Sequence, residues 1–238
     1  MRNMIDKNKY LIFSSFKLLN FWDYYTLSNK SEIKSNFELV KLSEVLNQRK
    51  EYITIDDNEE YKRCRVQTRA QGVVLRDIVL GKEIKTKKQQ PCKTDDFLVA
   101  EIDAKVGGYG IVPDYLENAI VSSHYFLFEI DKKKLLPEFL FILIRCNDFS
   151  KQVKATGSTN YAAIRPYHVL EYLIPLPSIP EQKRIVEAFN KKIKEAEELE
   201  QKAIKTEASI SKFINNELGI ESTSKVENIQ TTTFLKLI

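Results

Sequence analysis

An apolar stripe with the period of a coiled coil runs through the C-terminal part of this sequence and constrains its fold more than any other feature. The stripe begins at Ile185 and recurs with a mean spacing of 3.5 residues over eight steps. At about 1.5 Å per residue, a helix from Glu181 to Glu217 would be about 55 Å long, which is longer than a compact domain needs to cover itself. We therefore interpret it as a helix that pairs with another helix, in preference to an ordinary domain helix. Thr206 is a polar position within the same stripe. The apolar pairing positions are Ile185, Phe189, Ile193, Ala196, Leu199, Ala203, Ile210 and Phe213.

Local signals predict where this helix begins and ends. Ser178 and Glu181 have the spacing of a capping box, which marks a helix start, and Gly219 is a typical stop. Eight basic and eight acidic residues balance along the helix, and a neutral helix with an apolar seam favours a protein partner over DNA. We expect residues 178–218 to form a long helix for spacing and dimerisation, and residues 219–238 to form a loosely ordered tail.

The preceding region has a different pattern, with short apolar runs between turn signals. These runs are rich in β-branched and aromatic residues and predict a mostly β domain over residues 37–177. Two segments with spacings of three and four predict flanking helices, Glu38–Gln48 and Pro137–Ala155. Gly107, Gly108 and Gly110 predict a tight reversal of the chain. The expected fold class is therefore α+β, a β-rich domain with flanking helices followed by the long helix, and residues 1–36 form an extension without an assigned role.

Positive charge is concentrated in one segment of the β-rich region. The whole chain carries a net charge of only +4, but residues 61–93 contain ten basic residues and two acidic ones. Lysine and arginine release counterions from phosphates, and interleaved glutamines can hydrogen-bond to base edges. The segment therefore favours a DNA duplex as its partner, with a solvated basic loop as the alternative.

Several other classes of protein are disfavoured by the sequence. The three cysteines, Cys64, Cys92 and Cys146, are far apart and form no CxxC pair, so no disulfide framework or metal site is expected and a reducing cytoplasm fits best. Charged residues interrupt the apolar N-terminal region, and neither a signal peptide nor a membrane span is predicted. The glycine run lacks the lysine and serine or threonine of a phosphate loop. No cofactor is expected, and the isolated His124 and His168 are interpreted as structural residues.

Two blocks carry a family resemblance: DAK-x-GGYGIVP at Asp103–Pro113 and IPLPSIPEQKRIV at Ile174–Val186. With the segments around them, these blocks resemble one target-recognition domain, followed by its conserved helix, of the specificity subunit of a type I restriction-modification system. The resemblance covers roughly residues 37–219. It implies a noncatalytic, sequence-specific reader of double-stranded DNA that directs methyltransferase subunits, and in some systems a restriction subunit, to an interrupted target site.

The resemblance also implies which elements face DNA. The β-rich body carries the reading loops, whereas the helix acts as a spacer and docks the methyltransferase. A full-length subunit of the family has two recognition domains and two helices, but this sequence has one of each, so it is expected to be a half-subunit that forms a homodimer or a fragment. The expected DNA-binding residues are Lys62, Arg63, Arg65, Gln67, Thr68, Arg69, Lys85, Lys87, Lys88, Lys105, Ser158, Thr159, Asn160, Tyr161 and Arg165.

Two other functions are compatible with parts of the sequence. Asp96, Asp103 and Lys105 resemble the acidic and basic residues that hold a divalent ion in a metal-dependent nuclease, although their spacing is short. A coiled-coil adaptor without a DNA role would also explain the long helix, provided that the basic segment is buried or paired within the protein.

Overall fold

The computed structural model describes residues 33–153 and 163–219 of the chain. These residues fall into two compact units that meet at the Pro177–Ser178 bond. The first unit contains all eleven strands found in the described residues, and the second contains the long helix. The α+β fold class, with a β-rich unit followed by a long helix, is thus confirmed.

The strands of the first unit are short, apart from two that form a long hairpin. They are β1 (Leu39–Lys41), β2 (Leu46–Arg49), β3 (Ile53–Thr54), β4 (Glu60–Gln67), β5 (Gly72–Leu80), β6 (Lys88–Pro91), β7 (Phe97–Ala100), β8 (Tyr109–Ile111), β9 (Ile120–Val121), β10 (Tyr125–Ile130) and β11 (Leu173–Pro175). The helices are α1 (Pro137–Leu143), α2 (Asn147–Ser150), α3 (Pro166–Leu170) and α4 (Ile179–Glu217). Short 3₁₀ turns cover Leu42–Glu44, Gly81–Glu83, Asp103–Val106 and Asp114–Leu116.

The strands form two sheets and one isolated pair. The four-stranded sheet has the order β2-β10-β7-β8, and the five-stranded sheet has the order β3-β6-β9-β4-β5. Within the second sheet, the β4–β5 hairpin contains a bulge between Arg63 and Cys64. Strands β1 and β11 pair antiparallel, and Leu176 N–H donates to Glu38 O at 2.9 Å beside them. This pair joins the beginning and the end of the described part of the first unit.

The main hydrophobic core lies between the two sheets. Cys64, Val66 and Val73 from the hairpin pack with Leu98 and Leu127 from the four-stranded sheet, and all five side chains are buried. The Sγ atoms of Cys64 and Cys92 lie 3.6 Å apart in this core as free thiols. Side chains alternate between faces along a strand, which leaves the opposite face of the hairpin to carry the charged residues.

A cluster of aromatic rings packs on the other side of the four-stranded sheet. The Phe97 ring lies 6.2 Å from that of Phe128 and 6.3 Å from that of Tyr109. Phe149 then contacts Tyr109 edge-on at a centroid distance of 5.4 Å. Geometries of this kind stabilise a core beyond the area they bury, and they fix the segment around α2 against the sheet.

The structure corrects two details of the sequence-based assignment and agrees with a third. Glu38–Gln48 is not a helix, because Leu39–Lys41 pairs with β11 and Leu46–Arg49 pairs with β10, so sheet pairing overrides the helical spacing. The Ser178 side chain makes no capping hydrogen bond, although Ser178 is the N-cap residue of α4. Gly219 does end the helix with a φ of +62°.

The segment Pro137–Ala155 is also not one continuous helix. Helix α1 begins with Pro137 in its first turn, as predicted, but it stops at Leu143, and Cys146 has an extended backbone before α2 starts at Asn147. Asn147 and Asp148 favour caps and turns over helix interiors, which explains the new start. The break brings Arg145 into a loop.

No helix in the two described stretches is long and apolar enough to cross a membrane. The expected N-terminal extension, apart from residues 33–36, and the expected tail beyond Gly219 lie outside the described residues.

Candidate nucleic-acid interface

The β4–β5 hairpin ends in a tight tip that contains two of the predicted DNA-binding residues, Thr68 and Arg69. Arg69 and Ala70 both have left-handed backbones, with φ values of +58° and +53°. Such conformations are rare for residues other than glycine and persist where surrounding contacts enforce them. The side chains of Thr68 and Arg69 are exposed, whereas Ala70 is buried.

The contacts that enforce this tip come from a turn far away in sequence. The N–H of Arg69 donates to Val106 O at 2.6 Å, and the N–H of Ala70 donates to Gly107 O at 2.8 Å. Lys105 therefore lies next to the tip on the 3₁₀ turn Asp103–Val106, and its side chain is exposed. The structure brings together two elements that were predicted separately. We call the exposed residues Thr68, Arg69 and Lys105, with the backbone that carries them, the tip surface.

Gly107 makes this close approach possible. Its φ is +80°, and a Cβ atom at this position would lie 2.7 Å from Ala70 N and 2.8 Å from Arg69 Cα. Gly107 ends the 3₁₀ turn in a left-handed conformation, which glycine adopts without a steric penalty. The chain reversal predicted from the glycine run is present, and its further role is to seat the hairpin tip.

Arg145 contacts the tip from a third direction, and sequence reasoning missed it. Its Nε donates to Ala70 O at 3.1 Å, and its guanidinium lies 4.0 Å from the centroid of the Phe141 ring. Partial burial lowers the pKa of Arg145 from its ordinary value. No signal in the sequence identifies this residue, because the predicted helix Pro137–Ala155 would have placed it within a helix.

Arg165 forms an ion pair with the largely buried carboxylate of Glu101. Its Nη1 donates to Glu101 Oε1 at 2.7 Å, and His124 Nδ1 lies 3.0 Å from Glu101 Oε2. Only Ile102 separates Glu101 from the 3₁₀ turn that carries Lys105. The Gly157–Tyr161 loop, which includes the predicted residues Ser158, Thr159, Asn160 and Tyr161, lies outside the described residues.

The remaining predicted residues of β4 differ in whether they are already paired. Arg63 forms two hydrogen bonds to Asp77, at 2.6 and 2.7 Å, which raise the pKa of Arg63 and lower the pKa of the Asp77 carboxyl. Lys62 is exposed and donates to Tyr115 O at 3.4 Å. Gln67 is half-buried, and Arg65 is exposed without an ion-pair partner in the described residues.

The predicted lysines of residues 85–88 lie at the opposite end of the hairpin. Glu60 at the start of β4 pairs with Leu80 at the end of β5, and an eight-residue strand is about 24 Å long. At this base, Lys87 bonds to Asp57 and to Gly81 O, and the Nζ of Lys88 lies 4.3 Å from the Tyr52 ring centroid. Lys85 is exposed there. The basic segment is therefore divided between two ends of the hairpin and does not form one patch.

The proposed nuclease residues do not form a metal centre. The Asp96 side chain is almost fully buried, and its Oδ2 accepts hydrogen bonds from Arg49 and from the backbone N–H of Lys93. Asp103, by contrast, is exposed on the 3₁₀ turn. Within the described residues, no group of three or more histidine, cysteine, aspartate or glutamate side chains could hold a metal ion. The position of Asp96 thus argues against the nuclease hypothesis.

The apolar stripe of α4 is exposed over its C-terminal half. Leu199 is 68% exposed, Ile210 is 54% exposed and Phe213 is 62% exposed, and Ala203 is exposed as well. Ile193 is 37% exposed, whereas Ile185, Phe189 and Ala196 are half-buried. An exposed apolar seam on a 39-residue helix is typical of a helix that has a partner.

Comparison with known proteins agrees with this architecture. The family described as the type I restriction modification DNA specificity domain matches residues 22–208. The type I restriction enzyme HindI specificity subunit of Haemophilus influenzae is 29% identical over 125 residues, which are 49% of this chain and 27% of that protein.

Two solved structures are similar in fold. The HsdS subunit from Thermoanaerobacter tengcongensis matches with a TM-score of 0.63 and 19% identity, over 83% of this chain and 52% of that chain. A chain from a structure of the complex assembly and conformational transition of the type I R-M system matches with a TM-score of 0.57 and 22% identity, over 83% of this chain and 53% of that chain. The chain thus spans about half the length of these solved relatives. Because the family match covers most of its residues, this chain belongs to the type I restriction-modification DNA specificity family.

Proposed function

We propose that this chain reads a double-stranded DNA sequence for the partner subunits of a type I restriction-modification complex and has no catalytic role itself. The observation that carries the proposal is the tip surface, where two loops distant in sequence are fixed together by backbone hydrogen bonds. The family of the chain supports the same function. We propose the cytoplasm as its location, because the DNA target is found there.

The charges on the first unit support DNA as the ligand. Arg65, Arg69 and Lys105 are exposed, and none of them has an ion-pair partner in the stretches that the structure describes. Cations of this kind exchange counterions for phosphates when a duplex binds. Contacts to the phosphates then fix the orientation of the protein on the duplex, and other side chains of the first unit read base edges in a groove.

Replacement of Arg69 by alanine is expected to weaken duplex binding several-fold and to reduce the slope of log affinity against log salt by about one, because one phosphate contact is lost. Fluorescence anisotropy with labelled duplexes, repeated over a series of salt concentrations, measures both quantities. The native chain should show a steep salt dependence.

Lys85→Ala is the matched control, since it removes one exposed positive charge at the base of the same hairpin. A smaller effect than that of Arg69→Ala would support the tip surface as the end of the hairpin that contacts DNA. Equal effects would extend the interface to Lys85, Lys87 and Lys88. Binding by the native chain that is absent or independent of salt, even with the methyltransferase present, would contradict the proposal.

We further propose that α4 pairs with the same helix of a second copy and contributes to docking the methyltransferase subunits. The exposed seam supports this pairing, because Leu199, Ile210 and Phe213 otherwise remain in water. A two-fold pair presents two identical readers, so its target would be an interrupted palindrome. The methyltransferase and restriction activities then belong to the partner chains.

The double substitution Leu199→Lys and Ile210→Lys is expected to convert a dimer into a monomer, because it places two charges in the seam. Light scattering coupled to size-exclusion chromatography measures the mass in solution. Glu187→Gln with Glu198→Gln is the control, since it changes the net charge by the same amount on exposed positions outside the stripe. A native chain that is monomeric at high concentration, without its partner subunits, would contradict self-pairing.

A further inference from the structure

Glu101 is held in place from both sides by the main chain. Its N–H donates to His124 O at 2.8 Å, and its carbonyl accepts from the N–H of Ile164 at 3.0 Å. The neighbouring Ala100 N–H donates to Gly108 O at 2.8 Å, which ties the same strand end to the glycine turn. The Glu101 side chain is 16% exposed. Glu101 is therefore a fixed point beside the tip surface and not a mobile surface residue.

Arg165 is anchored to this fixed point at one end and open to solvent at the other. One nitrogen, Nη1, bonds to Glu101 at 2.7 Å, but the side chain is 57% exposed. Its backbone is also fixed, because Arg165 is the N-cap residue of α3, Pro166 follows it, and its N–H donates to His168 Nδ1 at 3.1 Å. A guanidinium has five N–H donors in a planar fork, and among the residues that the structure describes only Nη1 has a partner, Glu101.

The pairing with Glu101 distinguishes between two kinds of DNA contact. A residue that serves only to attract phosphate gains from an unpaired charge, and a neighbouring carboxylate weakens that attraction. A residue that reads a base gains from a fixed fork, because two parallel hydrogen bonds require one orientation and ordering a long side chain otherwise opposes binding. The observed arrangement favours the second kind of contact.

We infer that Glu101 is a positioning residue that holds Arg165 in the orientation required to read a guanine through its O6 and N7 atoms. Guanine is the base whose major-groove edge offers two acceptors to an arginine fork. The inference rests on the proposed function, since it assigns one specificity-determining pair within the same DNA-reading unit. Lys105 and Arg69, which have no such carboxylate partner in the described residues, supply the nonspecific attraction.

Selection of bound duplexes from a randomised pool tests this inference with the full chain. The native chain is expected to select a motif that contains a guanine position. Glu101→Gln keeps the shape of the side chain but removes its charge, and it should lower the preference at that one position about tenfold while the rest of the motif is retained. Arg165→Lys keeps the positive charge but loses the fork, and it should lose the preference at the same position.

The possible outcomes separate this inference from the proposed function. An unchanged motif with Glu101→Gln or with Arg165→Lys, or a uniform gain in affinity for all duplexes with Glu101→Gln, would overturn the inference and leave DNA reading intact. Failure of the native chain to select any motif would overturn both. Thermal unfolding checks that each variant is folded, and if Glu101→Gln is not, the exposed position of Arg165 makes Arg165→Lys the deciding variant.

Discussion

Replacement of Arg49 by methionine is expected to lower the free energy of unfolding by about 3–5 kcal/mol near neutral pH, the usual effect of removing one partner of a buried ion pair. The side chains of Arg49 and Asp96 are only 11% and 4% exposed. Arg49 also donates to Pro91 O at 2.8 Å and so connects the two sheets. Without the arginine, the Asp96 carboxylate is left buried without its ion-pair partner.

The stability lost in Arg49→Met should depend on pH, and the titration of Asp96 determines whether the loss grows or shrinks as the pH rises. Burial raises the pKa of the Asp96 carboxyl above its ordinary value, and the hydrogen bond and charge of Arg49 oppose that rise. A carboxyl with a raised pKa in the folded state favours folding below its unfolded pKa, and this contribution disappears as the pH rises through the folded pKa. Removal of Arg49 raises the folded pKa further. The deficit of the variant should therefore be largest near pH 7 and smaller near about pH 4.

Urea denaturation at several pH values measures this effect. The double substitution Arg49→Met with Asp96→Leu should recover much of the lost stability, because a buried ion pair can be replaced by apolar side chains of similar volume. Arg76→Met is the control for loss of an arginine, since Arg76 is 57% exposed. A stability loss that is constant with pH would show that the broken ion pair is not the cause of the instability. A double variant no more stable than Arg49→Met would show the same.

Gly107→Ala is expected to lower the free energy of unfolding by about 2–5 kcal/mol and to reduce DNA binding at least tenfold. About 1–2 kcal/mol comes from the left-handed backbone, and about 1–3 kcal/mol comes from forcing apart two packed segments. The added Cβ would lie 2.7 Å from Ala70 N. The clash is with backbone, so no side-chain rotation relieves it, and the hairpin tip must move away from Lys105.

Gly219→Ala isolates the backbone contribution. Gly219 has a φ of +62°, but nothing lies within 4 Å of an added Cβ atom. This variant should lose only about 1 kcal/mol and should bind DNA as the native chain does. Chemical denaturation and duplex anisotropy on both variants provide the comparison. Equal effects of the two substitutions would mean that the contact between Gly107 and the tip has no role in binding.

The strand-rich unit and the long helix could be predicted because each has a distinct periodicity. Runs of β-branched and aromatic residues marked strands such as β7 and β10, and the 3.5-residue spacing marked α4. The segment Glu38–Gln48 could not be assigned in this way. Its strands exist because β11 and β10 lie beside them, and pairing partners that are distant in sequence leave no local signal.

The tip surface was predictable only in part. Arg69 and Lys105 were identified from local charge and from the resemblance, but their proximity depends on hydrogen bonds between residues 69–70 and 106–107. Charge counting also treated residues 61–93 as one basic segment, although the hairpin places the middle of this segment at the tip and its two ends at the base. Glu101 and Arg145 carried no signal at all, since their importance lies in the cations and carbonyls that they contact.

The pairing of β1 with β11 has a consequence for how such a protein can diversify. Because Glu38 and Leu176 are hydrogen-bonded neighbours, the chain between them begins and ends at the same place in the fold. Loops between these two residues can lengthen, shorten or change their side chains while Glu38 and Leu176 stay the same distance apart. The recognition specificity of this part of the chain can therefore evolve independently of the segments that precede Glu38 and follow Leu176.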